Sequence, residues 1–338
     1  MTRLEFVGVA DAVELQTFMP RFPKGLAFDR VGHNRWRLDL DLPPEARIEY
    51  RLGITSGVET RSILDPLNPK TARNPFGENS VAGGPGYREA AWAAEPAAGG
   101  TMSEVRVASL EYGGRRHHHV YTPSGHDTSS PLPLIAVHDG TDYVRYAGLA
   151  RCIEHLIRVH ALRPCRLLLL DPRVRHVEYV ASDRHAAHLV GEVIPHIQRR
   201  MNVRGGVFAM GASLGAVASW HAVQHAPEMF AGMVLQSGTF AFEPHPELSE
   251  DMLGSIRQFM RSIAGGDAVT VGAVAMSCGR YESLIDWNRR ASVLLENSGS
   301  TVLYREAWAG HDWGAWADRL EEAITFVLAA PHDMGSGR

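Results

Sequence analysis

The chain has 338 residues, an apolar share of 45%, a charged share of 21% and a formal net charge of −4. That is an ordinary globular composition with length enough for two domains. It lacks the basic excess of nucleic-acid-binding proteins, so no nucleic-acid partner is expected. The densest basic stretch, Arg173 to Arg184, is interrupted by Glu178 and Asp183 and reads as a solvated or ligand-facing loop. Cys152, Cys165 and Cys278 lie far apart without CxxC spacing. This argues against disulfides and structural zinc and for small core hydrophobes. The stretch MTRLEFVGVADAVEL has acids within its apolar run and no hydrophobic signal core, and no segment approaches the roughly 20 apolar residues of a membrane span. A cytoplasmic location without membrane association is the expectation.

The first hundred residues read as β structure. Leu4–Val9, Ala12–Thr17, Asn34–Leu42 and Arg47–Ile54 are short, partly alternating runs separated by turn-forming residues. Such strands without long helices predict a small antiparallel sandwich over residues 1–100. Leu64 through Gly86 reads as irregular chain, and Ala90–Gly100 as a linker.

From residue 101 the pattern changes. Strands are predicted at Glu104–Leu110 and Arg116–Thr122. Continuous apolar runs then suit strands buried on both faces: Leu132–Val137, Arg166–Leu170, Val207–Met210 and Met233–Gln236. Two more strands are predicted at Val269–Ser277 and Thr301–Ala307. Helical segments alternate with them at Tyr146–His160, Ser182–Arg200, Leu214–His225, Ser283–Asn297 and Trp313–Ala329. This alternation predicts an α/β domain over residues 101–330, with a doubly wound, mostly parallel sheet and a tail at 331–338.

One motif carries chemistry. The buried run Val207–Met210 leads into Gly211-Ala212-Ser213-Leu214-Gly215 and then a helix rich in small residues. A serine on a sharp strand-to-helix turn is the nucleophile elbow of an α/β-hydrolase, so Ser213 is the candidate nucleophile. It needs a base and an orienting acid, which follow in the order Ser, acid, His. His311, between the last strand and last helix, is the candidate base; His332 lies in the tail. Glu282, just past the preceding strand, is the candidate acid, with Asp286 as alternative and Asp312 adjacent to the histidine. The oxyanion donors are expected to be the Leu214 N–H and one from Asp139, Gly140 or Thr141. Asp139 and Asp142 lack companion ligands at metal spacing, so neither a metal nor a cofactor is expected.

Several segments together resemble the enterobactin (enterochelin) esterase family, within the esterase D and feruloyl-esterase-like group. They are Val120-Tyr121-Thr122-Pro123, Val137-His138-Asp139-Gly140, the elbow, Gly279-Arg280-Tyr281-Glu282 and Gly310-His311-Asp312-Trp313. The last is the most diagnostic, because related siderophore esterases carry Gly-His-Asp-Trp around the catalytic histidine. The glycine turn before Glu282 resembles that of feruloyl esterases and favours Glu282 over Asp286. Arg175-His176-Val177-Glu178-Tyr179, followed by Glu192 and Pro195, is a further match. There Arg175 would meet an anionic substrate, organise the loop or pair with a glutamate. Trp36, Tyr50-Arg51-Leu52 and Asp65-Pro66-Leu67-Asn68 are similar to the immunoglobulin-like early-set domain of cytoplasmic enterobactin esterases and to modules of glycan-branching enzymes. One departure is Ala309, where many relatives carry a second glycine.

The resemblance implies a serine esterase working through an acyl-enzyme on a small-molecule ester, either a siderophore trilactone or another bulky, polyhydroxylated ester. It implies an N-terminal domain that covers the active site or makes an oligomer contact, such as a homodimer. Trp308 and Trp313 are candidate substrate contacts, while Trp316 has the spacing of a packed helix face. The alternatives are a mycolyltransferase-like acyltransferase and a non-catalytic binding protein for glycan or a partner.

Overall fold

The computed structural model describes residues 1–96, 99–246 and 248–329. The expected tail 331–338, with His332, and two residues of the expected linker lie outside them.

The chain divides into two compact units. The first comprises Met1–Ala90 together with Cys278–Ile285 and Glu306–Asp318. Its strands are β1 (Thr2–Val7), β2 (Ala12–Gln16), β3 (Asp29–Gly32), β4 (Arg35–Leu40), β5 (Arg47–Ser56), β6 (Glu59–Ile63), β7 (Thr71–Asn74) and β8 (Gly77–Gly83). They form a sheet of order β1-β4-β3 and another of order β2-β5-β8-β7, with β6 paired to β5. Every pairing is antiparallel. Alternation puts Leu4 and Phe6 of β1, Trp36 and Leu40 of β4, and Val13 and Leu15 of β2 into one core with Ile48, Tyr50, Leu52 and Ile54. Tyr281, far away in sequence, belongs to the same core.

The expectation of irregular chain over 64–86 is corrected, because β7 and β8 form a hairpin there. Its turn is Asn74-Pro75-Phe76-Gly77, where the Phe76 N–H donates to Asn74 Oδ1 (2.8 Å) and Gly77 takes φ 141°. These turn formers flank short, weakly apolar strands that join the sheet through the pairing of β8 with β5, a context no local pattern reveals. The Asp65–Asn68 segment is a turn anchored by the buried side chain of Asp65. Tyr50 donates to Asp65 Oδ2 (2.6 Å), and Asn68 Nδ2 donates to Tyr50 Oη (3.0 Å).

The second unit comprises Ala91–Ser277, Asp286–Arg305 and the chain from Arg319. The remaining strands are β9 (Thr101–Ala108), β10 (Arg115–Thr122), β11 (Leu132–His138), β12 (Arg166–Leu170), β13 (Val203–Ala212), β14 (Phe230–Gln236), β15 (Ala273–Gly279) and β16 (Thr301–Ala307). They form a mixed sheet of order β16-β15-β14-β13-β11-β12-β10-β9. The run β12-β11-β13-β14-β15 is parallel, while β9 and β10 are antiparallel additions at one edge.

The helices are α1 (Gly140–Tyr146), α2 (Leu149–Arg158), α3 (Arg175–Glu178), α4 (Asp183–Ala187), α5 (Ile194–Gln198), α6 (Leu214–His225), α7 (Glu250–Ser262), α8 (Ile285–Asn297), α9 (Trp313–Ala317) and α10 (Leu320–Ala329). Three predicted helices are thereby broken. Tyr146–His160 yields to two helices at Gly148, whose φ is 66° and whose missing side chain leaves room for the Trp92 ring. Ser182–Arg200 is interrupted by a wide turn over His188–Val193, beside Pro195, which has no N–H to continue the ladder. Trp313–Ala329 breaks at Asp318, which accepts a bond from Tyr87 Oη (3.0 Å). Helix α7 was not anticipated. The expected linker is anchored in part: Trp92 is buried, and Glu95 pairs with His155 (2.6 Å) and with Arg158. All three cysteines are buried, and none is in a disulfide. Among the described residues no helix is long and apolar enough to cross a membrane.

Histidines crowd the interior of this unit. His138 Nδ1 lies 2.8 Å from Ser219 Oγ, and its Nε2 lies 2.9 Å from His185 Nε2. Both ring nitrogens of buried His118 lack a hydrogen-bond partner. Burial pushes His118 and His138 down to about 3 and holds His185 well below its usual value. The unfolded chain protonates these rings near pH 6.5 while the folded one excludes the proton, so stability falls as pH drops below that value. Each ring contributes a slope of about 1.4 kcal/mol per pH unit at most. Urea unfolding between pH 7 and 5.5 is expected to show a falling midpoint, and His118→Leu to reduce the slope by about one proton.

Candidate active site

Ser213 sits at the carboxyl end of β13 with φ 57° and ψ −121°, a backbone region that side chains rarely occupy. The surroundings hold it there. Its N–H donates to the Gln236 carbonyl (2.9 Å), and its carbonyl accepts from the Thr239 N–H (3.2 Å). A Cβ on Gly211 would lie 2.3 Å from the backbone of Gly215, and one on Gly215 would lie 3.1 Å from His138 Cβ. The tight passage from strand to helix therefore demands Gly211 and leaves little room at Gly215. The Ser213 hydroxyl is 3.4 Å from Thr239 Oγ1. Thr239 was not anticipated, since it lies in a loop after β14 that carries no motif.

Leu214 opens α6, so its N–H is among those the helix leaves without an internal acceptor. After β11, Asp139 adopts a left-handed conformation (φ 53°). Its N–H donates to Tyr179 Oη (3.3 Å), and the Thr141 N–H donates to Asp171 Oδ1 (3.1 Å). Gly140, the first residue of α1, is packed so closely on β12 that a Cβ would be 2.5 Å from Leu169 Cα. Of the three loop donors, only the Gly140 N–H is not drawn off to one of these side chains.

Arg175 binds Asp139 through Nε and Nη2 at 2.8–3.1 Å, and its Nη2 reaches the Ala212 carbonyl at 3.4 Å. It thus ties the β11 loop to the residue before Ser213. Glu178 has other partners: it pairs with Arg116 and accepts from the N–H groups of Arg173 and Val174.

In the first unit, Glu282 is 1% exposed. Its Oε2 lies 2.7 Å from His311 Nδ1, and its Oε1 accepts from the Gly279 N–H (2.7 Å). An ionised carboxylate only accepts, so Nδ1 carries the proton and Nε2 is left as the basic nitrogen. Asp286, the alternative acid, is exposed and pairs with Arg289 (3.1 Å). Asp312 caps α9 by accepting from the Ala315 N–H (2.8 Å).

The loop bearing His311 is braced by a buried ion network. Arg47, 5% exposed, lies 2.5 Å from Asp312 and 3.0 Å from Glu49, which also accepts from Asn79 (3.0 Å). Burial and the Asp312 charge push Glu49 up to about 7. Gly314 has no side chain because Arg47 Nη2 would be 2.0 Å from its Cβ. Gly310 admits Met19, and the Arg47 N–H donates to the Trp308 carbonyl (2.9 Å). Ala309 fits where a second glycine was noted as usual: it is buried, and its carbonyl accepts from the Tyr281 N–H (3.2 Å). Trp316 meets the His311 ring edge-on at 5.1 Å and Trp313 at 4.8 Å, and Trp308 lies under the Arg280 guanidinium.

The strained serine between a buried parallel strand and a helix, within this mixed sheet, defines an α/β-hydrolase-like fold. Residues 109–327 match the Esterase family, described as "Putative esterase", and the chain belongs to that family. It is a hydrolase of the esterase class. The fold is similar to that of the ferric enterobactin esterase of Salmonella typhimurium, with a TM-score of 0.80 and 17% identity over 97% of this chain and 93% of that one. It is also similar to the enterobactin esterase of Shigella flexneri, crystallised in the presence of enterobactin (TM-score 0.76, 17% identity, 97% and 94% covered). An acetyl esterase of Caldicellulosiruptor saccharolyticus is 33% identical over 58 residues, 17% of this chain, and the match spans only 22% of that protein.

Replacing Arg47 by Met leaves buried Glu49 and half-buried Asp312 without their cation, which costs about 3–5 kcal/mol. Thermal unfolding of Arg47→Met is expected at clearly lower temperature, with Asp312→Asn less affected because the amide oxygen still caps α9. Aryl-ester kcat/KM at a temperature where both variants are folded is expected to fall as well.

Proposed function

We propose that the protein hydrolyses a carboxylic ester through an acyl-enzyme, with Ser213 as nucleophile, His311 as base and Glu282 as orienting acid. The observation that carries this reading is the 2.7 Å bond from His311 Nδ1 to Glu282 Oε2, which leaves Nε2 for proton transfer. The three residues follow β13, β15 and β16, strands of one sheet, in the chain order Ser, acid, His. In this reading His311 takes the Ser213 proton as the hydroxyl attacks the ester carbonyl. The N–H groups of Leu214 and Gly140 stabilise the tetrahedral oxyanion. His311 then protonates the departing alcohol and activates the water that releases the acid.

For substrate we favour a bulky, polyhydroxylated ester, with a catecholate siderophore trilactone as the leading example. The support is the Gly310-His311-Asp312-Trp313 segment and the likeness to enterobactin esterases over nearly the whole chain. Residues 1–100 are read as an immunoglobulin-like early-set module and 101–330 as the catalytic domain. Two antiparallel sheets around one core support the former.

Ser213→Ala is expected to abolish fluorophosphonate labelling and to lower kcat for aryl esters by about a thousandfold or more. Glu282→Gln should lower kcat at least about a hundredfold, whereas Asp286→Asn should stay within about twofold of the parent. A panel of catecholate siderophores, feruloyl sugars and short aryl esters ranks the substrates. Full activity in Ser213→Ala would overturn the mechanism, and no turnover of the siderophore would overturn the substrate assignment.

A further inference from the structure

We propose that Asp183, His221 and His225 form a binding site for one divalent transition-metal ion, with zinc the best fit. The two histidines are four residues apart on one face of α6, and Asp183 stands in the first turn of α4. Their ligand atoms all lie within 4.8 Å of one another.

The distances favour a metal over an ion pair. Asp183 Oδ1 is 3.3 Å from His221 Nε2 and 3.4 Å from His225 Nε2. Charge-assisted N–H···O bonds draw in to about 2.7–2.9 Å. A tetrahedron with zinc–ligand bonds of about 2.0–2.1 Å has edges of about 3.3–3.4 Å. The carboxylate oxygen therefore sits at the spacing of a ligand that shares one ion with both imidazoles.

The protonation pattern suits the same reading. His225 Nδ1 lies 3.2 Å from the His221 carbonyl. A carbonyl only accepts, so Nδ1 carries the proton and the Nε2 lone pair faces the cluster. His221 is buried, its ring edge-on to Phe259 at 5.0 Å. Asp183 is held at the start of α4, which Ser182 caps through the His185 N–H. Its carboxylate is largely exposed, so the remaining coordination position opens to water.

His221 and His225 lie 8 and 12 residues past Ser213, roughly 12–18 Å along the helix. The ion would therefore pin α4 to α6 and take no part in the ester chemistry.

The test uses untagged, full-length protein stripped with a chelator. Zinc is titrated by calorimetry and cobalt by its visible spectrum. One equivalent should bind, cobalt should give the intense bands of low coordination, and zinc should raise the melting temperature. His225→Gln and Asp183→Asn, both at exposed or half-exposed positions, should each weaken binding tenfold or more. A His117→Ala/His119→Ala double variant controls for exposed surface histidines and should bind as the parent does. Parent-like affinity in His225→Gln, loss of binding in the double variant, or binding no tighter than that of the Asp183→Asn/His225→Gln pair would overturn the proposal.

Discussion

The left-handed backbone at Ser213 is the constraint around which the surrounding chain is arranged. A serine at φ 57° is strained, and the turn persists because its neighbours leave it no alternative. Gly211 and Gly215 lie so close that neither tolerates a Cβ without displacing its neighbours, and the carbonyl of Gln236 and the N–H of Thr239 clamp the serine from both sides. Once that turn is closed, α6 must begin at Leu214. Its opening N–H groups then lie beside Ser213, without an acceptor inside the helix. Arg175 extends the brace by tying Asp139 to the carbonyl of Ala212.

A second constraint operates in the N-terminal unit. Arg47 is a charged side chain on the fully packed central strand β5, and a buried cation must be paired. Its partners are Glu49 on its own strand and Asp312, the residue after His311. Tyr281, the neighbour of Glu282, is part of that same core. The first ninety residues thus hold the turns carrying the Glu282–His311 pair.

Much of this was legible locally. Strands Arg166–Leu170 and Thr301–Ala307 and helix Leu214–His225 have the bounds that their periodicity predicts. Arg166–Leu170 is buried throughout and Leu214–His225 nearly so. The hairpin of β7 and β8 was not legible, because its residues have weak strand preference and depend on β5 for pairing. Long helical patterns were read too continuously, since Gly148 and Pro195 break them for steric reasons that a hydrophobic stripe does not report. The His221–His225 spacing lay in plain view but meant little without a third ligand from another helix.

What the amino-acid sequence determined by itself was the alternation of buried strands with helices, the GxSxG turn and the chain order of Ser213, Glu282 and His311. These are local or ordinal properties, carried by residue type and spacing. Tertiary structure showed that Glu282 is buried against His311 while Asp286 lies exposed beside Arg289. It also decided that Asp139 and Thr141 spend their N–H groups on Tyr179 and Asp171 while Gly140 does not. Such choices depend on which side chains, tens or hundreds of residues apart, are forced to share a dry interior and satisfy one another there.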